Sequence, residues 1–109
     1  MEIVISRDFS QTPGGRYKKE GNFSGEEFRE KILIPRFNEA QKNNNKLYIN
    51  LDGGYGYPPS FLEEAFGGLA RKYGYKKVSS TLKFISDDEP TLIEEINEYI
   101  YKAKGNENE

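Results

Sequence analysis

Residues 47–74 read LYINLDGGYGYPPSFLEEAFGGLARKYG, and this stretch decides the fold. Its first five residues alternate between apolar and more polar side chains, which is the period of a strand with one apolar face. Glycines and prolines at 53–59 predict a loop after the strand. Apolar residues then recur at helical spacing from Ser60 until Gly74, a residue type that commonly ends helices. A strand, a loop and a helix in this order form the repeating unit of an α/β fold.

Two serines are predicted to begin helices. Ser24 is followed three residues later by Glu27, and Ser60 by Glu63. This spacing is typical of a capping box, in which the hydroxyl accepts a hydrogen bond from the first turn and the carboxylate reaches back to the serine N–H. As an N-cap, Ser60 would contribute about 1 kcal/mol to stability.

The rest of the chain supplies the other predicted elements. They are strands at 3–5 and 81–86, a candidate edge strand at 16–22, and helices beginning at Ser24 and near Pro90. Pro35 lies inside the first of these helices, so we expect a kink or a break near Ile34. This order predicts an α/β fold whose mixed, mostly parallel sheet has about four strands, with three helices mainly on one face. The other face would stay partly open as a docking surface.

Length and composition limit the class of protein. The 109 residues predict one domain at 1–104 and a disordered polar tail at 105–109. The absence of histidine removes the usual general base and the commonest zinc ligand, and the absence of cysteine removes thiol chemistry. A net charge of −2 with interspersed signs argues against nucleic acid. Without a long apolar run or a basic leader, we expect a cytoplasmic protein that does not enter membranes and needs no metal or cofactor.

Four motifs carry a resemblance to a known family. They are PGGR at 13–16, SGEEF at 24–28, INLD at 49–52 and SFLEEAFGG at 60–68. Over nearly its whole length the chain resembles the STAS-like domains, relatives of the sulphate-transporter and anti-sigma-factor-antagonist fold. Within them it is most similar to a small prokaryotic STAS-like family of unknown function. The resemblance implies an α/β fold and a regulatory role in signalling.

The resemblance also gives Ser60 a second role. In anti-sigma-factor antagonists, a serine or threonine at the strand–loop–helix junction is phosphorylated by a partner kinase of the histidine-kinase-like ATPase superfamily. Ser60 stands in that place. The better-known antagonists have a short Asp-Ser-Ser-Gly-like turn there, whereas this chain has the longer loop 53–59 and the bulky Phe61. A phosphate on Ser60 would meet the positive end of the helix, but also Glu63 and Glu64.

The favoured function is that of a non-enzymatic, cytoplasmic regulatory module that binds a protein partner. The resemblance implies that this partner is a histidine-kinase-like ATPase. The docking surface would combine the open sheet face with a rim formed by Tyr55, Tyr57, Ser60 and Phe61. The sequence also leaves a homodimer open.

Two other classes of function are weighed against this one. A sensor would bind a nucleotide or another anion at the carboxyl ends of the strands, where open α/β sheets bind ligands. Arg16, after its two glycines, is the candidate anion-binding residue, although pairing with a carboxylate is favoured. An enzyme would need Asp52 as base and Ser60 as nucleophile, but the sequence supplies no activating partner or oxyanion device.

Overall fold

In the computed structural model, which describes residues 1–106, three parallel strands form one sheet. They are β1 (Glu2–Val4), β2 (Leu47–Asn50) and β3 (Leu82–Ile85), in the spatial order β1-β2-β3. The register pairs Ile49 with Ile3 on one side and with Phe84 on the other. The predicted central strand is confirmed, and the sheet is wholly parallel rather than mixed.

The edge strand predicted at 16–22 is wrong. Lys18–Glu20 form a 3-10 turn, and the Glu20 carboxylate accepts hydrogen bonds from two backbone N–H groups ahead of it, at 2.9 and 3.1 Å. Positive φ angles at Gly21 (143°) and Phe23 (60°) then bend the chain away from an extended path. Local side-chain bonding to the backbone competes here with strand formation and prevents it.

Five helices accompany the sheet in residues 1–106. They are α1 (Ile5–Asp8), α2 (Gly25–Phe28, Arg29–Leu33 and Ile34–Lys42 without interruption), α3 (Pro59–Leu62, Glu63–Gly67 and Gly68–Tyr73 without interruption), α4 (Tyr75–Thr81) and α5 (Thr91–Lys102). The three predicted helices are α2, α3 and α5. In the part of the chain that is described, no helix is both long enough and apolar enough to cross a membrane.

The middle turn of both long helices is a π-helix. The Ile34 N–H bonds to the Arg29 carbonyl, and the Gly68 N–H bonds to the Glu63 carbonyl, each five residues back. Of the kink or break expected near Ile34, the break is wrong, because backbone angles there stay helical. Pro35 falls in the first turn of the α-helical segment that follows the π turn, where a missing N–H costs least.

Two parts of the chain differ from the sequence-based expectation. Helix α4 was not predicted, since its seven residues bury only Val78 and Thr81 and show no apolar stripe. Gly74, with φ of 99°, separates it from α3. The tail predicted at 105–109 begins inside a 3-10 turn, Ala103–Asn106, and residues 107–109 lie outside the described range.

Within residues 1–106, helices cover only one face of the sheet. Leu47 and Ile49 are fully buried, whereas Tyr48 between them is 43 % exposed. Residues paired across parallel strands share a face, so the exposed side can be read from the register. We call this surface the bare face; it consists of Glu2, Val4, Tyr48, Asn50, Lys83 and Ile85, all exposed or half-buried. Successive right-handed crossovers in the order β1-β2-β3 place the connecting helices together on the opposite side.

Helix α3 supplies much of the core on the covered face. Phe66 and Leu69 are both fully buried. The Phe66 ring contacts Phe28 of α2 and Phe84 of β3, with centroids 6.0 and 5.3 Å apart. One helix face therefore joins the sheet to α2.

We expect Leu69→Ala to lower the free energy of unfolding by about 2–5 kcal/mol, because it removes a fully buried side chain and leaves a cavity. Tyr55→Ala is the control and should change it by less than about 0.5 kcal/mol, since Tyr55 is 83 % exposed. Urea melts of the two variants measure the difference. Equal losses would contradict the packing described for α3.

Candidate functional site

The loop between β2 and α3 is fastened to its surroundings by hydrogen bonds. The Tyr57 hydroxyl donates to the Leu51 carbonyl at 2.9 Å. The Asp52 carboxylate accepts from the backbone N–H groups of Asp87 at 3.1 Å and Asp88 at 2.9 Å. Burial, followed by the nearby charge of Asp52, raises the pKa of the Tyr57 hydroxyl. These contacts hold the loop at the carboxyl end of the sheet.

The capping box predicted at Ser60 is wrong. Helix α3 begins one residue earlier, at Pro59, and Pro58 is its N-cap without a side-chain hydrogen bond. Proline suits the first helical position because its fixed φ is already helical. Ser60 is therefore the second residue of the helix, half-buried, and its hydroxyl forms no hydrogen bond within residues 1–106. Glu63 bonds to arginines instead.

The predicted docking rim is only partly a surface. Tyr55 is 83 % exposed, and Tyr57 is half-buried against the core. Phe61 is fully buried, so its assignment to the rim is wrong. The third residue of α3 points toward α2, where the Phe61 ring lies 5.7 Å from that of Phe28 and 6.0 Å from that of Tyr57. Tyr55 and the edge of Ser60 remain accessible.

A small cavity opens beside this loop at the strand ends. Its volume is about 170 Å³, and its lining includes the Tyr55 and Tyr57 rings and the Ser86 hydroxyl. The charged residues of the lining are Asp88 and Glu89, without a lysine or arginine. Their negative charge repels phosphate groups and other anions. The electrostatics of this loop therefore disfavour the nucleotide or anion sensor.

Arg16 is bound by carboxylates. Its Nη1 donates to Glu63, and it also donates to Glu64 at 3.2 Å. The pairing favoured from the sequence is thus what the structure has. Burial acts to raise the pKa of the Glu63 carboxyl, but hydrogen bonds from Arg71 and Arg16 outweigh it and hold that pKa below its ordinary value.

A second arginine joins α2 to α3 at the same place. Arg29 Nη1 donates to the Glu64 carboxylate at 2.7 Å and to the Glu64 carbonyl at 2.5 Å. Glycines make room for this pair: a Cβ at Gly25 would lie 2.5 Å from the Phe61 carbonyl oxygen, and one at Gly68 would overlap Arg29 Nη1. Sequence reasoning missed the pair because its partners are far apart in the chain and no local spacing connects them.

We expect Glu64→Ala to lower the free energy of unfolding by about 3–5 kcal/mol, because Arg29 would stay largely buried without its carboxylate. Glu98→Ala is the matched control. Glu98 pairs with Lys102 at 3.3 Å on an exposed helix surface, where such a pair contributes about 0–1 kcal/mol. Denaturant melts at neutral pH compare the two. Similar small losses would mean that the Arg29–Glu64 pair does not hold the helices together.

The comparison with known families agrees with this architecture. One family matches residues 24–92, more than half of the chain, and it is described as a STAS-like domain of unknown function (DUF4325). Three of the four motifs above lie inside the match, and the PGGR motif at 13–16 lies outside it. No curated protein and no solved structure is significantly similar to this chain. The chain belongs to the family of STAS-like domains of unknown function.

Proposed function

We propose that this chain is a regulatory protein-interaction module that docks a partner protein on its bare face. The observation that carries the proposal is a wholly parallel sheet with one uncovered face. Parallel sheets occur almost always with both faces covered. A partner protein would supply the missing cover.

The chemistry of the bare face suits a reversible interface. Its central residue is Tyr48, and Glu2 and Lys83 flank it in register on the neighbouring strands. Tyrosine is enriched in protein interfaces, and flanking charges of opposite sign favour one orientation of the partner. A permanent interface would be more apolar. This composition supports a role in which the partner binds and leaves.

Docking through the face is favoured over addition of a strand to β1. The outer edge of that strand is already occupied by side chains of this chain. The Val4 N–H donates to Asp8 at 2.8 Å, and Arg36 donates to the Glu2 carbonyl at 3.0 Å. An incoming strand would have to displace both groups. Side chains on the bare face need no such displacement.

We further propose that phosphorylation of Ser60 controls docking, and that the partner is an ATPase of the histidine-kinase-like superfamily. The hydroxyl has no capping role to lose, since Pro58 is the N-cap. The nearby carboxylates of Glu63 and Glu64 are neutralised by arginines, which weakens their repulsion of a phosphate.

The module acts in the cytoplasm and is not an enzyme. Asp52, the candidate base of an enzyme, uses its carboxylate oxygens to bind backbone N–H groups.

We expect Tyr48→Arg to weaken binding of the partner at least about tenfold, or about 1.4 kcal/mol, because a charge would replace the central ring of the bare face. Tyr101→Arg is the matched control, since Tyr101 is 56 % exposed and lies on α5 away from that face. Quantitative pull-downs from the native cytoplasm, with the tagged wild type and both variants at equal concentration, measure recovery. Equal recovery by both variants would refute docking on the bare face.

Three serine variants separate capping from switching. Ser60→Ala should change the free energy of unfolding by less than about 0.5 kcal/mol. Ser24→Ala should lower it by about 0.5–2 kcal/mol, because the Ser24 hydroxyl does accept from the Glu27 N–H at 3.0 Å. Incubation with ATP and the proposed partner ATPase should add one phosphate to wild type but not to Ser60→Ala. Ser60→Asp should bind the partner at least about tenfold more weakly. If wild type stays unmodified, and wild type, Ser60→Ala and Ser60→Asp bind the partner equally, Ser60 is not a switch.

A further inference from the structure

A cleft lies where the π-helical turns of α2 and α3 meet. Its volume is about 240 Å³, and its lining includes Arg29 and Glu30 from α2 and Glu64, Arg71 and Lys72 from α3. π-helical turns inside α-helices are frequent at functional sites. Here two of them face one another across a group of charged side chains. The cleft uses none of the residues of the bare face.

The carboxylates around this cleft are already paired. Glu64 accepts from Arg16 and Arg29, and Glu63 accepts from Arg16 and Arg71. Glu30 is bound by Lys18. The lining itself holds three cationic residues, Arg29, Arg71 and Lys72, and two acidic ones, Glu30 and Glu64, so its net charge is +1. This corner is positive in a chain whose formal charge is −2.

Two of the three guanidinium nitrogens of Arg29 make no hydrogen bond within residues 1–106. Its Nη1 makes both bonds to Glu64, and within residues 1–106 its Nε and Nη2 have no hydrogen-bond partner. The described side chains bury no unpaired polar atom, so these two nitrogens are not fully buried, and Arg29 lines the cleft. The side chain itself is only 15 % exposed. A guanidinium held in place with two free donors is pre-organised for an oxyanion.

We propose that this cleft binds a compact phosphoryl group, either inorganic phosphate or a phosphate monoester on a side chain. Arg29 would supply two parallel N–H donors through Nε and Nη2, and Lys72, whose ammonium lies 5.8 Å from the Tyr73 ring, would supply a point charge. The cleft is smaller than the roughly 300–1,000 Å³ of sites for drug-sized ligands, so a single phosphoryl group fits it better than a nucleotide.

Titration with inorganic phosphate at constant ionic strength, near pH 7.5, tests the site by nuclear magnetic resonance. We expect the Arg29 Nε–Hε signal and the Gly68 amide signal to shift together and to saturate. Lys72→Gln should weaken the affinity about fivefold, the effect of one unit charge at about 4 Å in water. Lys76→Gln, the same change on an exposed residue of α4 outside the cleft, should leave it unchanged. Absence of saturable shifts at Arg29, or equal weakening by both variants, would overturn the proposal.

Two further experiments test the paired N–H donors of Arg29 and the source of the phosphate. Arg29→Lys keeps the charge but removes the paired donors, and it should weaken phosphate binding at least tenfold. If that variant does not fold, the Lys72 and Lys76 variants still decide the question. A capped phosphoserine residue that binds more tightly than inorganic phosphate identifies a modified protein side chain as the source, and the reverse order identifies the free ion. Shifts of equal size with phosphate and with chloride would mean general ionic screening and would refute the site.

Discussion

The contact between α2 and α3 is the constraint on which the rest of the molecule depends. Gly25 lets the two backbones approach, and Arg29 then reaches Glu64 one turn further along. Around this contact the phenylalanine rings of both helices complete the core. A charged pair in such a place adds little stability compared with apolar side chains, but loss of one partner is costly. The Arg29–Glu64 pair therefore determines the relative position of the two helices more than it adds to the stability of the fold.

Local patterns in the sequence predict elements well and their partners poorly. Both serine motifs have the same spacing, yet only Ser24 accepts a hydrogen bond from its helix. At Ser60, the helix begins one residue earlier, at Pro59, and the Glu63 carboxylate accepts hydrogen bonds from arginines instead of from the serine N–H. The strands and the three longer helices were predictable because they carry sustained apolar periods. Helix α4 and the π-helical turns were not, since packing rather than periodicity determines them.

The candidate site shows the same division. Tyr55 was predicted at the surface and lies there, whereas Phe61 is fully buried, because it stands four residues before Ala65 and shares the apolar face of α3. Arg29 could not be associated with the site from the sequence, because its carboxylate partner, Glu64, lies on another helix and no local motif connects the two. The family match supports the architecture and leaves these roles to experiment.

The parallel pairing of the strands also has a kinetic meaning. The β1–β2 ladder pairs residue 4 with residue 50, and the β2–β3 ladder pairs residue 49 with residue 84. Neither ladder can form before the long segment between its two strands has folded back on the sheet. Loop closure on this scale is slow compared with formation of a helix. During synthesis β3 emerges last of the three strands, and until it arrives β2 presents an unpaired edge. The sheet that carries the bare face therefore cannot be completed before β3 has emerged.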